Sequence, residues 1–200
     1  MPIIRTLGQP LRHEIPKIRG SRFFASLERA DDPGQAMAFV ELLREEFPDA
    51  THHCFAWRCG PGGEQVRHSD DGEPNGTAGR PILQEIEGRG LTNVVAVVTR
   101  YYGGTKLGTG GLVRAYGEAA AAALDKAGIQ EEPVVEVLEL RHGYDDTGAV
   151  KGVLTAFDAK ILSADYGTEV ELRIAVPVEH ADAVKIALRD ATQGRLDLDD

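Results

Sequence analysis

A nearly continuous run of β-branched residues, followed by a glycine-rich segment, constrains the fold of this chain more than any other feature. Residues 94–98 read Val-Val-Ala-Val-Val, so the segment 93–98 is predicted to form a strand buried on both faces, at the centre of a sheet. Six glycines follow between residues 103 and 117, and the alanine-rich segment 112–126 predicts a long helix that ends at Gly128. The pattern therefore predicts a central strand that leads through a glycine-rich loop into a helix.

The remaining N-terminal segments supply partners for this strand and helix. Asp32-Pro33 is a typical helix start, because proline at the first helical position removes an N–H group that would be unpaired there. Hydrophobic spacing predicts further strands at 13–18, 22–27 and 52–58 and helices at 33–47 and 81–87. Residues 1–128 are thus predicted to form an α+β domain, a sheet with two helices on one face.

The C-terminal third reads as a second domain. Residues 129–133 are polar and end in proline, which predicts a linker, and residues 134–200 form the domain beyond it. Its predicted elements are a strand at 134–141, a helix at 146–157, strands at 159–165 and 168–176, a helix at 179–190 and a strand at 194–198. The order βαββαβ predicts a ferredoxin-like sandwich, with both helices on one face of an antiparallel sheet.

Charge is divided unevenly between these two parts. Residues 1–128 contain 15 Lys and Arg against 16 Asp and Glu, whereas residues 129–200 contain 7 against 16. The acidic C-terminal part is a poor candidate for covering a phosphate backbone alone, but 12 of the 15 N-terminal cations are arginine, which suits phosphate or carboxylate. No window is apolar enough for a membrane span, and residues 1–11 lack the apolar core of a signal peptide. We therefore expect a cytoplasmic protein with no membrane contact.

An acidic loop at residues 68–80 is the first candidate site. Its candidate binding residues are Asp70, Asp71, Glu73, Thr77 and Arg80. Oxygen-rich loops bind hard cations, but the spacing here lacks the EF-hand pattern and its closing glutamate. The alternatives are a structured turn, in which the carboxylates bond nearby backbone, and ion pairs with arginines of the second site. We predict a binding loop and no bound metal or other cofactor.

The second candidate site is the glycine-rich segment 100–114. Backbone N–H groups and the helix dipole at the start of the following helix favour an anion, and the segment contributes Lys106, Gly108, Gly110 and Arg114. No lysine follows Gly108, and the third glycine of a dinucleotide fingerprint is missing, so no known nucleotide motif is present. The alternative is that the glycines only permit close packing of the backbone.

Arg100, Tyr101 and Tyr102 stand at the end of the predicted central strand. Adjacent strand residues point to opposite faces, so at most one tyrosine belongs to the core, and the other offers a ring for base stacking. The alternative is one core ring and one rim ring without a ligand. Cys54 reads as a small core residue, and the sequence contains no recognisable nucleophile or catalytic metal motif.

These segments resemble the YigZ/IMPACT family. The residues that carry the resemblance are Gly79 with Ile82, Leu83 and Ile86, the run Arg100-Tyr101-Tyr102-Gly103-Gly104 with Leu107 and Gly108, and the blocks at 21–23, 52–57, 69–74 and 76–79. The resemblance implies an N-terminal domain similar to domain IV of elongation factor G and to ribosomal proteins. It implies a ferredoxin-like C-terminal domain similar to domain V of that factor. Eukaryotic relatives regulate translation by competing for the activator of the kinase that senses uncharged tRNA.

The leading hypothesis is a non-catalytic regulator of translation that contacts RNA, the ribosome or a translation factor. Its basic cleft would contain Arg22, Arg80, Arg100, Lys106 and Arg114, with Tyr101 or Tyr102. One alternative is an enzyme or binding protein for a phosphorylated small molecule or nucleotide. The other is a protein–protein adaptor that binds no nucleic acid.

Overall fold

A computed structural model describes residues 2–199, and the side chains of residues 2–198. Contacts divide the chain into two compact units, one formed by Ile4–Glu132 and the other by the residues from Pro133 onward together with Pro2 and Ile3. Among the described helices, none is both long and apolar enough to cross a membrane.

The N-terminal unit is built on a five-stranded antiparallel sheet. Its elements are β1 (Ile3–Leu7), β2 (Leu11–Glu14), β3 (Arg22–Arg29), α1 (Pro33–Glu46), β4 (His52–Cys59), β5 (Gln65–Ser69), α2 (Gly79–Gly88), β6 (Val94–Tyr101), α3 (Thr109–Ala127) and β7 (Ile129–Pro133). The strand order is β2-β3-β6-β4-β5, so the aliphatic strand β6 is central, as its composition predicts. Strands β1 and β7 form a separate two-stranded sheet.

Two helices cover one face of the five-stranded sheet, which confirms the predicted arrangement. Side chains of α2 and α3 pack on alternate residues of the central strands, among them Val94, Ala96 and Val98. The intervening residues Val95 and Val97 face α1 on the opposite side. Strand β6 is therefore buried on both faces, which explains why its sequence is continuously apolar.

Some elements differ from the sequence prediction. The segment 129–133, predicted as a linker, is strand β7 and pairs with β1. Strand β2 lies at Leu11–Glu14 rather than at 13–18. Strands β1 and β5 were not predicted; β5 is an edge strand whose residues are mostly exposed, so it lacks the apolar alternation that marks a half-buried strand.

The C-terminal unit has the ferredoxin-like topology. Its elements are β8 (Val135–His142), α4 (Thr147–Ala156), β9 (Lys160–Tyr166), β10 (Val170–Pro177), α5 (Ala181–Ala191) and β11 (Asp197–Asp199). The sheet is antiparallel with order β11-β8-β10-β9, and its core contains side chains of both helices, including Leu154 and Leu188. The predicted order βαββαβ is confirmed.

Candidate functional site

The candidate residues gather at the end of the five-stranded sheet where β6 finishes. Strand β3 begins there with Arg22 opposite Tyr101, and β4 begins with His52 opposite Arg100. Helices α2 and α3 run in the same direction, because Glu85 lies beside Gly117 and Arg89 binds Asp125 further along both helices. Their N-termini therefore lie at one end of the helical layer, so the topology brings both candidate loops to the same region.

A buried ion pair joins the two loops. Glu73 accepts a hydrogen bond from the Arg100 guanidinium, and each side chain is about 5% exposed. The same Glu73 oxygen accepts a hydrogen bond from the Tyr116 hydroxyl of α3 at 2.8 Å, and His52 Nε2 lies 3.8 Å from it. Loops 68–80 and 100–114 thus converge on one carboxylate.

Arg100 differs from its predicted role as an exposed phosphate contact. Its guanidinium also donates to Ser21 Oγ at 3.2 Å, and its central carbon lies 5.3 Å and 5.4 Å from the ring centres of Phe23 and Tyr102. A cation that is 4% exposed and neutralised by a carboxylate cannot approach a phosphate without breaking these contacts. Arg100 therefore holds the site together rather than presenting charge to solvent.

Asp70 fixes the acidic loop through backbone hydrogen bonds. Its carboxylate accepts N–H bonds from Gly76, Ala78 and Gly79 at 2.7 to 2.9 Å, the last two at the start of α2. Burial alone would raise the pKa of Asp70, but these three donors and nearby His68 outweigh it and hold the pKa below its usual value. Asp70 therefore supports the structured-turn interpretation of this loop.

The other polar residues of this loop also have internal partners. Asp71 binds Arg44 of α1 at 2.9 Å and accepts the backbone N–H of His53 at 2.6 Å. The Thr77 hydroxyl is buried and donates to the Pro74 carbonyl at 2.6 Å. Within residues 2–198, no group of three or more His, Cys, Asp or Glu side chains is placed to hold a metal ion. The carboxylates of the loop serve as ion-pair partners and caps.

Close contact between two glycines positions the glycine-rich loop. A Cβ atom on Gly103 would overlap the backbone of Gly20 and Ser21, and one on Gly20 would lie 2.8 Å from the Gly103 carbonyl oxygen. The Gly103 N–H donates to Ser21 Oγ at 3.1 Å, and Arg19 reaches the Lys106 carbonyl at 3.4 Å. At these positions the glycines do permit close backbone packing, the alternative that their composition left open.

The exposed part of the site is the start of α3 and its surroundings. Gly108 is the N-cap and offers no side chain to bond the first-turn N–H groups, while Lys106 and Arg114 are exposed. Arg80 is exposed at the start of α2, and Tyr102 is 46% exposed. We call Tyr102, Lys106, Gly108, Gly110 and Arg114 the α3 entry surface. It combines free backbone donors, two cations and an aromatic ring.

Arg22 and Tyr101 lie on the α1 side of the sheet, where Phe24 and Phe47 pack, and are bound to other residues. Arg22 donates twice to Glu14, at 2.9 and 3.0 Å, and its guanidinium lies over the Tyr101 ring. The Tyr101 ring stacks on Phe24, and its hydroxyl donates to Asp49. Tyr101 is thus the more enclosed of the two tyrosines.

Sequence reasoning missed several residues that build the site. Ser21, Tyr116, His52 and Arg44 each contact a predicted site residue but are distant from it in sequence. Of these, only Ser21 and His52 lie in the blocks that carry the family resemblance. Tyr116 reads as an ordinary core residue of a helix, so nothing in its local pattern indicates a partner in the acidic loop.

Comparison with known proteins gives the family. The Impact N-terminal domain profile matches residues 19–124, and a domain of unknown function, DUF1949, matches residues 140–195. IMPACT family member YigZ of Escherichia coli is 41% identical over 186 residues, which cover 92% of this chain and 91% of that protein. The chain belongs to the IMPACT family. The resemblance noted from the sequence is thereby confirmed.

Further IMPACT relatives and a solved structure agree with this assignment. An IMPACT family member of Thermus thermophilus is 43% identical and covers 90% of this chain and 97% of its own. The yeast Protein IMPACT homolog is 32% identical over 93 residues, covering 45% of this chain and 36% of that protein. A crystal structure of a hypothetical protein superposes with a TM-score of 0.74 at 40% identity, covering 99% and 97% of the two chains. The candidate site lies within the Impact N-terminal domain.

Proposed function

We propose that this IMPACT-family protein is a non-catalytic regulator of translation that contacts RNA, on the ribosome or together with a translation factor, through the α3 entry surface. The observation that carries the proposal is the uncapped start of the 19-residue helix α3, flanked by exposed Lys106 and Arg114. A regulator of translation acts in the cytoplasm, where ribosomes are.

The chemistry of the α3 entry surface suits a phosphate backbone with an unpaired base. First-turn N–H groups and the helix dipole attract an anion, and the two cations add charge that counterion release makes favourable. The exposed ring of Tyr102 provides a face on which a base can stack. The Tyr102 ring also lies against the guanidinium of Arg100, whose charge is neutralised by Glu73.

The environment of the buried nucleophiles supports a non-catalytic function. Cys54 is fully buried, and this burial raises the pKa of its thiol far above neutrality, so the reactive thiolate does not form. Burial also lowers the pKa of His53. Its ring Nε2 is hydrogen-bonded to the Phe47 carbonyl, and its backbone N–H donates to the Asp71 carboxylate. Neither residue is arranged as part of a nucleophile–base pair.

The test measures, by fluorescence anisotropy, the binding of a labelled RNA hairpin with a single-stranded loop. The measurement is repeated at a series of potassium chloride concentrations. Lys106→Ala and Arg114→Ala should each weaken binding and reduce the slope of log affinity against log salt by about 0.7 to 0.9. Lys126→Ala, which removes an exposed cation at the other end of α3, is the matched control and should leave that slope unchanged.

Two results would overturn the proposal. One is equal loss from Lys126→Ala and Lys106→Ala, which would indicate nonspecific charge attraction. The other is no salt-dependent RNA binding at all, together with saturable thermal stabilisation by ATP and magnesium. That outcome would favour the alternative ligand, a nucleotide whose phosphates occupy the same helix start.

A further inference from the structure

The C-terminal sheet has one face that its helices do not cover. Strands β8 and β10 carry four charged side chains on this open face, which form the pairs Arg141–Glu171 at 3.0 Å and Arg173–Glu139 at 3.5 Å. These pairs cancel the two cations of β8 and β10, and the register places one further cation, Lys160 of β9, on the same face opposite Ala175. The sheet nevertheless forms a shallow depression of about 510 Å³ there.

Two further carboxylates give the open face an acidic excess. The strand register aligns Asp197 with Arg141, Arg141 with Glu171, and Glu171 with Asp165, so one row across the sheet holds three acids and one cation. Asp165 lies at the β9 end of this row, beside the sheet edge. The wider segment 129–200 carries a net charge of −9.

Strand β9 is an exposed edge. Among the described strands it pairs with β10 alone, and all seven of its residues are exposed, including Ile161 at 47%, Leu162 at 52% and Tyr166 at 67%. The register shifts between Arg173 and Ile174, which makes Leu162 an extra residue and interrupts regular pairing there. Residues 163–166 remain a regular strand whose outer N–H and C=O groups lack a neighbouring strand.

We propose that this edge binds an extended, lysine- or arginine-rich segment of another protein, which adds as a fifth strand beside β9. Main-chain hydrogen bonds to residues 163–166 would supply affinity, as in other strand-addition complexes. Alternate cationic side chains of the added strand would lie on the open face next to Asp165. Apolar side chains between them would cover Ile161 and Tyr166, which lie on the other side of β9.

Charge decides between this occupant and two others. The acidic row repels a phosphate backbone, and β8 and β10 contain no Phe, Tyr or Trp on which bases could stack, so RNA is disfavoured. A second copy of the chain would bring two acidic faces together and is disfavoured by the same repulsion. This surface belongs to the C-terminal unit and the α3 entry surface to the N-terminal unit, so the two proposals fail independently.

The probe is a labelled ten-residue peptide of alternating lysine and valine, titrated into the full chain by anisotropy. A peptide of alternating glutamate and valine tests the charge requirement and should bind at least about tenfold more weakly. Asp165→Lys should weaken binding of the lysine peptide about tenfold, with Asp165→Asn as a milder variant if the reversal unfolds the unit. Asp190→Lys makes the same change on exposed α5, away from the open face, and Lys106→Ala changes the α3 entry surface; both should leave affinity within about twofold.

Hydrogen exchange distinguishes strand addition from loose charge attraction. The lysine peptide should slow exchange of backbone N–H groups within residues 163–166, while exchange in α4 and α5 stays unchanged. Equal binding of both peptides, or binding without protection of β9, would overturn the proposal. So would protection of residues 163–166 from exchange by RNA in the absence of the peptide, or sedimentation of the free chain as a dimer that Asp165→Lys dissociates.

Discussion

Glu73 and Arg100 form an ion pair whose two side chains are each about 5% exposed, and it joins the acidic loop to the end of the central strand. Removing one partner leaves the other charge buried without compensation. Arg100→Met should therefore lower the free energy of unfolding by about 3 kcal/mol. Urea denaturation followed through the fluorescence of Trp57, the single tryptophan and a buried residue of this unit, measures the change.

The double variant Arg100→Met with Glu73→Gln is the control for that experiment. It removes both charges, and the amide oxygen that replaces the Glu73 carboxylate can still accept the hydrogen bond from the Tyr116 hydroxyl. The double variant should therefore recover more than half of the lost free energy of unfolding. A single variant within about 0.5 kcal/mol of the parent would contradict the central role of the pair.

The contact between Gly20 and Gly103 predicts a second stability effect. A methyl group on Gly103 would overlap the backbone of Gly20 and Ser21, and backbone cannot turn aside as a flexible side chain can. Gly103→Ala should lower the free energy of unfolding by about 1 to 3 kcal/mol. Gly110→Ala is the matched control: its nearest neighbour is the end of Arg114 at 4.0 Å, so no loss of stability is expected. Equal loss in both variants would show that glycine flexibility, rather than the contact, matters.

The sequence predicted the fold well because the deciding signals are local. The aliphatic run of β6, the proline start of α1 and the alanine-rich α3 each specify their element through neighbouring residues. Strand β7 was predicted as a linker because its pairing with β1 depends on residues more than a hundred positions away. Strand β5 was not predicted because its residues are mostly exposed and lack the alternation of apolar and polar residues that indicates a strand.

The candidate site was predicted in composition but not in arrangement. Charge and glycine content identified both loops, yet nothing local distinguishes buried Arg100 from exposed Arg114. The distinction comes from Glu73, Ser21 and Tyr102, which approach Arg100 through the tertiary fold. An arginine at the end of a central strand is therefore an ambiguous signal.

The hydrogen bonds of Asp70 predict a pH dependence. Because its pKa is lower in the folded chain, the carboxylate contributes stability above its unfolded pKa of about 3.9, and this contribution is lost as pH falls through the folded value. Asp70→Asn should therefore be less stable than the parent at pH 7, by about 1 to 2 kcal/mol, and the difference should shrink below about pH 4. Urea titrations at several pH values measure it, and a difference that stays constant from pH 7 to below pH 4 would contradict this role of Asp70.

Both cysteines should be unreactive in the folded protein. Cys54 and Cys59 are free and fully buried; burial raises the pKa of Cys59 to about 11 and that of Cys54 further. At pH 8 a dithionitrobenzoate assay should therefore count no rapidly reacting thiol in the native chain and two in urea. A thiol that reacts rapidly without denaturant would contradict this packing and would reopen a nucleophilic role for Cys54.

Tyr102 separates stacking from charge in the proposed RNA contact. If a base stacks on its exposed ring, Tyr102→Ala should weaken RNA binding by about 1 to 3 kcal/mol without changing the salt dependence, since no cation is removed. Tyr102→Phe keeps the ring and should bind as the parent does. The ring also lies against Arg100, so unfolding curves for both variants are needed to show that the N-terminal unit remains folded. Equal loss in the alanine and phenylalanine variants would assign the effect to the hydroxyl group, and a changed salt slope in Tyr102→Ala would mean that the nearby cations had moved.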